Sequence, residues 1–232
     1  MNFYKEKDIQ NIKSYKFDFI ELDETDHVFT VTLNRPKKKN ALHPQMINEI
    51  AFAFQYAFYN NNIRAVLLKS NGDVFCSGMD LKALAGDIEK NNSTIPEPNS
   101  KIFIGELFNK LYKPKICQLN GDVYAGGILL VAGCNYVIST KNIKLGLPEV
   151  KRGIFPMQVM ESLSKIISIR NVIDWCVRGY NLDVSIAKKW GLVSRVVKKE
   201  VLENETQKWL MEVTSNSPTA IRLGLEALDK IN

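Results

Sequence analysis

Two glycine-containing turns, each set between a predicted strand and a predicted helix, constrain this chain more than any other feature. They are residues 75–82, with the sequence FCSGMDLK, and residues 120–127, with the sequence NGDVYAGG. A glycine turn between a strand and a helix lets backbone N–H groups point at a ligand oxygen. Either turn alone is a weak indication, because tight turns of small residues are common. Their occurrence together, in this order, makes them informative.

The predicted elements in the first third of the chain favour repeated ββα units over alternating βαβ units. Apolar and polar residues alternate over 17–21 and 28–32, which predicts two strands joined by a polar turn. A helix should follow Pro44, because apolar residues recur there at helical spacing. Residues 65–68 form an apolar run typical of a buried strand. The predicted order is therefore strand, strand, helix, strand.

The rest of the chain is predicted to contain shorter elements. Residues 86–100 are polar, and we expect a mobile connection between short helices there. Beyond residue 157 the pattern is mainly helical, apart from a strand-like alternation over 192–197. The remaining predictions are a strand at 116–119, an apolar helix at 128–132, and a pair of strands at 136–139 and 143–145.

The size of the chain, 232 residues, favours one domain with a short appendage. An apolar fraction of 45% can fill a sizeable core, and no apolar run reaches the ~18 residues that a membrane span needs. Residues 1–16 are polar, so no signal peptide is expected. The four cysteines lack metal-binding spacing, and the default prediction is reduced thiols in a cytoplasmic protein.

The formal net charge of +6 would favour an anionic partner, such as a phosphate-bearing ligand or nucleic acid. The lysines and arginines are spread along the chain, so a solvated basic surface explains them at least as well. Single-strand binding uses interleaved basic and aromatic residues, and the sequence has no such stripe. A nucleic-acid partner is therefore not expected, and no P-loop, dinucleotide-binding or zinc motif is found.

Ordered sequence blocks on both sides of the two turns complete a family pattern. The blocks are residues 31–36 (VTLNRP) and 40–42 (NAL) before them, and 146–149 (GLPE) with Gly153, Gly179, and 187–193 (AKKWGLV) after them. Over residues 17–232 this order resembles the crotonase (enoyl-CoA hydratase/isomerase) superfamily.

The resemblance implies an α/β fold, a spiral of repeated ββα units with a C-terminal helical trimerisation region. It implies one domain over 1–232, with a spiral core over about 17–195 and a helical region over about 196–232. Family members commonly continue through further helices beyond the segment that begins at Ser217. The resemblance thus implies a shortened helical region, and an acyl pocket that is either more open or completed by another subunit. It also implies a homotrimer or a dimer of trimers.

The same resemblance implies an acyl-CoA substrate whose thioester oxygen is held by the backbone N–H groups of Met79 and Gly126. Removing a proton beside a thioester builds negative charge on that oxygen, and one fixed donor can be worth roughly 3–4 kcal/mol. Ala41, Ser77 and Lys82 are expected to contact coenzyme A, although a solvated lysine is an equal interpretation of Lys82. Coenzyme A enters as part of the substrate, so no tightly bound cofactor and no metal are expected.

Leu129 is the main departure from the hydratases of this family, which carry a glutamate at that place. Their second glutamate is matched by Glu149, and hydration needs two positioned groups. Isomerases of the superfamily resemble this chain, with leucine at the first place and glutamate at the second. The resemblance therefore implies an enoyl-CoA isomerase with Glu149 as its single base. A hydratase-like lyase, another enolate reaction such as decarboxylation, and a non-catalytic acyl-CoA binder stay open.

Other reactive side chains are assigned structural roles. His27 and His43 have no nucleophile at a recognisable spacing, and His43 could cap the helix that follows it. Cys76 is expected to be a small packed apolar residue, and Asp80 to anchor the first turn of a helix.

Overall fold

The computed structural model describes residues 1–231, and Asn232, the last residue of the predicted helical region, lies outside the described residues. The strands are β1 (Ile20–Thr25), β2 (Val28–Leu33), β3 (Ala65–Ser70), β4 (Val74–Cys76), β5 (Lys115–Leu119), β6 (Asp122–Tyr124), β7 (Tyr136–Thr140), β8 (Lys144–Gly146), β9 (Asn181–Asp183) and β10 (Arg195–Val197). The helices are α1 (Glu6–Gln10), α2 (Pro44–Tyr59), α3 (Leu81–Leu84), α4 (Ile104–Lys110), α5 (Gly127–Ala132), α6 (Met157–Ser164), α7 (Ile169–Arg178), α8 (Val184–Trp190), α9 (Leu202–Thr214) and α10 (Pro218–Ile231). This mixture of helices and mainly parallel sheets confirms the predicted α/β class.

A six-stranded sheet with the order β1-β2-β3-β5-β7-β10 forms the centre of the molecule. Its β1–β2 pair is antiparallel, and every other neighbouring pair is parallel. The central strand β3 is buried on both faces, as parallel strands usually are. Leu68 belongs to the main core on one face, and Leu67 packs on the other face in a cluster with Leu202 and Leu210 of α9.

A second sheet with the order β4-β6-β8-β9 consists of three-residue strands. β4, β6 and β8 are parallel neighbours, and β9 is antiparallel to β8. The predicted pairing of 136–139 with 143–145 is wrong. The first of these strands pairs with β5 and β10, and the second pairs with β6 and β9 in the other sheet.

Several predicted boundaries also differ from the structure. The first strand begins at Ile20 rather than at residue 17, since its pairing with β2 starts at Ile20. The backbone N–H groups of Asp18, Phe19 and Ile20 donate to the Glu49 carboxylate at 2.8, 2.9 and 3.1 Å. The strand predicted at 192–197 is confined to β10, and β9 was not predicted. A strand is more than local alternation, since it needs a partner for its backbone groups.

The predicted helix after Pro44 is confirmed as α2. The His43 ring accepts a hydrogen bond from the Gln45 backbone N–H at 3.1 Å, so the suggested capping role of His43 is confirmed. Met46, Ile50 and Phe54 of this helix are fully buried in the main core. α2 thereby supports the segment that leads into the first glycine turn.

The last helices differ in how they pack. α9 covers the six-stranded sheet, whereas α10 has no buried residue and contacts the body through a hydrogen bond from the Tyr112 hydroxyl to Asp229 at 2.9 Å. The division at about residue 195 and the trimeric assembly stay predictions. None of the helices within residues 1–231 has the length and apolar character needed to cross a membrane.

Candidate active site

Three neighbouring parallel strands of the second sheet, β4, β6 and β8, end at the same edge. Cys76 is paired with Val123, and Tyr124 with Gly146. Because parallel strands present their carboxyl ends at one edge, the segments that follow them lie together. These segments are 77–79, 125–127 and 147–149, and they contain the predicted catalytic residues Met79, Gly126 and Glu149.

The first two segments touch through Gly78 and Ala125. Gly78 has a φ of +93°, and a Cβ atom there would lie 2.6 Å from the Ala125 Cβ. Only glycine fits both the conformation and the space. Ala125 itself has a φ of +50°, which for a residue with a side chain costs about 1–2 kcal/mol. The surrounding fold holds this strained backbone in place, as is common at functional sites.

The backbone N–H groups of Met79 and Gly126 donate to no backbone or side-chain acceptor in the described part of the chain. A Cβ atom on Gly126 would lie 3.6 Å from the Met79 nitrogen, so the two groups border one small space. Unpaired amides are uncommon in folded proteins, and two beside one space form a place for an anionic oxygen.

The segment 39–42 runs alongside the first turn. Ser77 N–H donates to the Lys39 carbonyl at 3.0 Å, and Leu42 N–H donates to the Gly78 carbonyl at 2.8 Å. These bonds bring Ala41 next to Ser77, while Lys82 lies exposed on the short helix α3 that follows. The three residues predicted to contact coenzyme A therefore lie on adjoining segments, and their contacts with coenzyme A stay a prediction.

Arg35 links the segment 39–42 to the start of α3 through hydrogen bonds. The sequence alone indicates no role for it beyond its place in the block 31–36. Its buried guanidinium donates to Asp80 at 2.6 Å, to Glu89 at 2.5 Å and to the Ala41 carbonyl at 3.2 Å. Asp80 also accepts from the Lys82 N–H at 3.1 Å, so it caps α3 as predicted. Burial alone would raise the pKa of Asp80, but the hydrogen bonds from Arg35 and the helix outweigh it and lower the pKa. Asp80 is therefore an ionised anchor.

The environment of Glu149 raises the pKa of its carboxyl, whereas that of Asp80 lowers it. Glu149 lies in the short 3₁₀ helix Pro148–Arg152 after β8, half-buried, and its Oε2 atom is buried with no hydrogen-bond partner within the described residues. Burial raises the pKa of this carboxyl, although its own backbone N–H and the Arg152 charge act against the rise. A carboxylate with an unused oxygen and a raised pKa can accept a proton, which is what a general base does.

Leu129 lies one helical turn after Gly126, and its N–H donates to the Gly126 carbonyl at 3.2 Å. Its side chain is almost fully buried and cannot hold a proton. It also lines a cleft of about 870 Å³, whose lining does not include Met79, Gly126 or Glu149. The cleft therefore adjoins the candidate active site without containing its polar groups.

The remaining reactive residues lie outside this arrangement. His27 is bonded through its ring to the Asn62 carbonyl at 2.8 Å. Cys76 is fully buried, as predicted, and burial raises the pKa of its thiol to about 12. No three His, Cys, Asp or Glu side chains in the described part of the chain could together hold a metal ion.

Comparison with known proteins identifies the family. The family model for enoyl-CoA hydratase/isomerase matches residues 23–231. The chain is 31% identical over 219 residues to a "Probable enoyl-CoA hydratase" of Mycobacterium leprae. The aligned region covers 93% of this chain and 82% of that protein. It is 29% identical over 205 residues to the mevalonyl-coenzyme A hydratase of Aspergillus fumigatus, covering 88% of this chain and 75% of that protein.

The fold is likewise similar to solved structures. A crystal structure of enoyl-CoA hydratase from Bacillus anthracis matches with a TM-score of 0.79 at 27% identity, covering 90% of this chain and 82% of that chain. The likeness in sequence and in fold extends over nearly the whole chain, so the resemblance to the crotonase superfamily is confirmed. The chain belongs to the enoyl-CoA hydratase/isomerase family and is an acyl-CoA enzyme of that family.

Proposed function

We propose that this enzyme moves the double bond of an enoyl-CoA and uses Glu149 as its single base. One observation carries the proposal. A buried leucine stands at position 129, one turn from the Gly126 donor, while Glu149 has a buried oxygen with no hydrogen-bond partner among residues 1–231. The site thus combines two free backbone donors with one carboxylate that is available for proton transfer.

The chemistry follows from these groups. Glu149 takes a proton from C2 of a 3-enoyl-CoA, and the electron pair spreads onto the thioester oxygen and along the former double bond. The Met79 and Gly126 N–H groups stabilise the charge on that oxygen, each worth roughly 3–4 kcal/mol. Glu149 then returns the proton at C4, which gives the 2-enoyl-CoA. No water is added and no second acid is required.

Hydration is the second candidate, because the named relatives include enoyl-CoA and mevalonyl-CoA hydratases. Adding water needs one group to position and deprotonate the water and another to assist protonation at the α-carbon. Asp80 is another carboxylate beside the donor turns, and both of its oxygens accept hydrogen bonds from Arg35 or α3. It is therefore poorly suited to supply the missing proton.

A product assay separates the candidates. The wild-type enzyme is incubated with a 3-enoyl-CoA and, separately, with a 2-enoyl-CoA, and the products are identified by mass. The proposal expects conversion of the first substrate to the second with no gain of water. Accumulation of 3-hydroxyacyl-CoA as the main product would contradict it, and turnover of neither substrate despite measurable binding would favour a non-catalytic acyl-CoA binder.

A matched pair of variants sharpens this test. Leu129→Glu introduces the carboxylate that hydratases carry, and Leu129→Gln introduces a side chain of similar size that cannot ionise. If position 129 separates the two reactions, hydration should appear in the glutamate variant and not in the glutamine variant. Equal hydration by wild type and both variants would show that another group supplies the acid.

A further inference from the structure

The cleft lined by Leu129, beside the candidate active site, is also lined by a buried lysine, Lys115. It lies between α4, α5, α6 and α10. Leu129 lines it one turn from Gly126, and Lys115 lines it together with Asn135, beyond the last turn of α5. A helix rises about 1.5 Å per residue, so the three residues from Leu129 to the end of α5 at Ala132 span about 4.5 Å, and Gly133 and Cys134 continue the lining from there to Asn135. A volume of about 870 Å³ is that of a ligand site rather than a packing defect.

Lys115 has an unusual environment for a charged residue. Its side chain is only 4% exposed, and its Nζ donates to the carbonyls of Leu111 at 2.7 Å and Lys113 at 3.2 Å. An ammonium group has three donors, and the third has no acceptor within residues 1–231. No carboxylate of the described chain lies within ion-pair distance of it. A buried cation without an anion is costly.

The other charged residues of the cleft already have partners. They form these pairs: Lys110 with Glu106, Lys165 with Glu161 at 3.8 Å, and Asp229 with the Tyr112 hydroxyl at 2.9 Å. Burial lowers the pKa of Lys115 to about 8, while the charges of Cys134 and Asp229 act in the opposite direction. Lys115 is therefore still mainly protonated at neutral pH. It is the lining cation that an incoming anion would stabilise.

We propose that this cleft holds the acyl tail of the substrate and that Lys115 binds a carboxylate at the far end of that tail. The favoured substrate class is then an acyl-CoA whose acyl chain carries a terminal carboxylate. The inference rests on the proposed function for the position of the thioester. The lining between Leu129 and Lys115 supplies apolar surface for the methylene groups, and Lys115 supplies the charge.

The test measures binding, so that it does not depend on turnover. Saturated acyl-CoA thioesters with a terminal carboxylate are compared, over a series of chain lengths, with equally long thioesters that end in a methyl group. Calorimetry gives the dissociation constant of each for wild type, Lys115→Met and Lys113→Met. Lys113 is a matched control. It donates to two backbone carbonyls, those of Ala57 and Asn60, burial lowers its pKa to about 8, and it does not line the cleft.

At the best chain length, wild type should bind the carboxylated thioester at least about tenfold more tightly than the neutral one. Lys115→Met should lose this preference, and Lys113→Met should keep it. Equal binding of both ligands by wild type at every length would overturn the inference without needing a variant. So would an unchanged preference in Lys115→Met, because Lys115 would then only bond the end of α4.

The outcome is separable from that of the proposed function. Preference for a terminal carboxylate without isomerisation of any 3-enoyl-CoA would retain the tail site and refute the reaction. Isomerisation of neutral 3-enoyl-CoA thioesters with no such preference would support the proposed reaction and refute the tail site.

Discussion

The two sheets of this protein differ in what their sequences encode. In the six-stranded sheet, five of the six strands have five or six residues, and the central strands β3 and β5 are buried on both faces. In the four-stranded sheet every strand has three residues, and the predicted catalytic residues follow the strand ends. The first sheet depends on side-chain packing, whereas the candidate site depends on backbone conformation at Gly78, Ala125 and Gly126. Stability and catalysis should therefore respond to different substitutions.

The largest effect is expected from Glu149→Gln at the second sheet. Loss of the base should lower kcat by about 10²–10⁴, the usual contribution of general base catalysis. The fold should not suffer, because a neutral amide replaces a buried carboxylate whose charge is partly unsatisfied. Steady-state kinetics and thermal melts of the two proteins check this. A variant that loses activity only in proportion to its loss of folded protein would refute the catalytic role.

Leu68→Ala in the six-stranded sheet should lower stability and leave catalysis unchanged, the reverse of the effect expected for Glu149→Gln. The Leu68 side chain is 1% exposed, and the cavity left behind should lower the free energy of unfolding by about 2–5 kcal/mol. Activity per folded molecule should be unchanged, since Leu68 belongs to β3 of the six-stranded sheet and not to the segments that follow β4, β6 and β8. Urea denaturation and kcat at low temperature measure the two quantities. Leu67→Ala, on the opposite face beside α9, should behave alike.

Gly126→Ala tests the space between the two backbone donors. Gly126 has a φ of −54°, and an added Cβ would lie no closer than 3.4 Å to Met79, so the fold should tolerate it. The new methyl group would crowd the space beside the Met79 N–H and should lower kcat by about tenfold to a hundredfold. As a contrast, Gly78→Ala should lose about 1–3 kcal/mol of stability, because its φ of +93° disfavours a side chain. Wild-type kinetics in Gly126→Ala would show that the thioester oxygen does not occupy the space into which the new methyl group projects.

The smallest effect is expected in the pH dependence. Glu149 must be ionised to act as a base, so kcat/KM should rise with pH through an apparent pKa above the ordinary value of 4.5. The folded state holds the Glu149 proton more tightly than the unfolded state. Wild type should therefore lose stability relative to Glu149→Gln as pH rises from 4.5 through the raised pKa. A flat difference in melting temperature over that range would contradict the raised pKa.

The difference between the long strands of the first sheet and the short strands of the second also explains which parts of the fold the sequence alone could predict. Apolar alternation located β2, and helical spacing located α2, because long periodic segments carry a clear local pattern. The sequence pattern does not separate the short strands β4 and β6 from the adjoining glycine turns, since three residues are too few to show a period. For the same reason the two strands near residues 136 and 145 were wrongly paired with each other. Which sheet a strand joins depends on partners that are distant in sequence.

In the candidate site, the residues within local motifs could be predicted, whereas contacts between residues distant in sequence could not. Met79, Gly126 and Glu149 were placed by motif, and the parallel strand ends bring their segments together. The Arg35–Glu89 ion pair could not be predicted, because it joins residues 54 positions apart and neither has a local pattern. No role could be predicted for Lys115, because a single lysine in an apolar strand does not indicate that its charge is buried beside a cleft.

The most direct test of the single-base mechanism is proton exchange. Wild type and Glu149→Gln are incubated with a 3-enoyl-CoA in D₂O, and deuterium in the substrate and the 2-enoyl-CoA product is followed by mass. The account predicts deuterium incorporation with isomerisation in wild type, and the loss of both in Glu149→Gln while the thioester still binds. Exchange at the wild-type rate in the variant would contradict it, because another group would then be removing the proton.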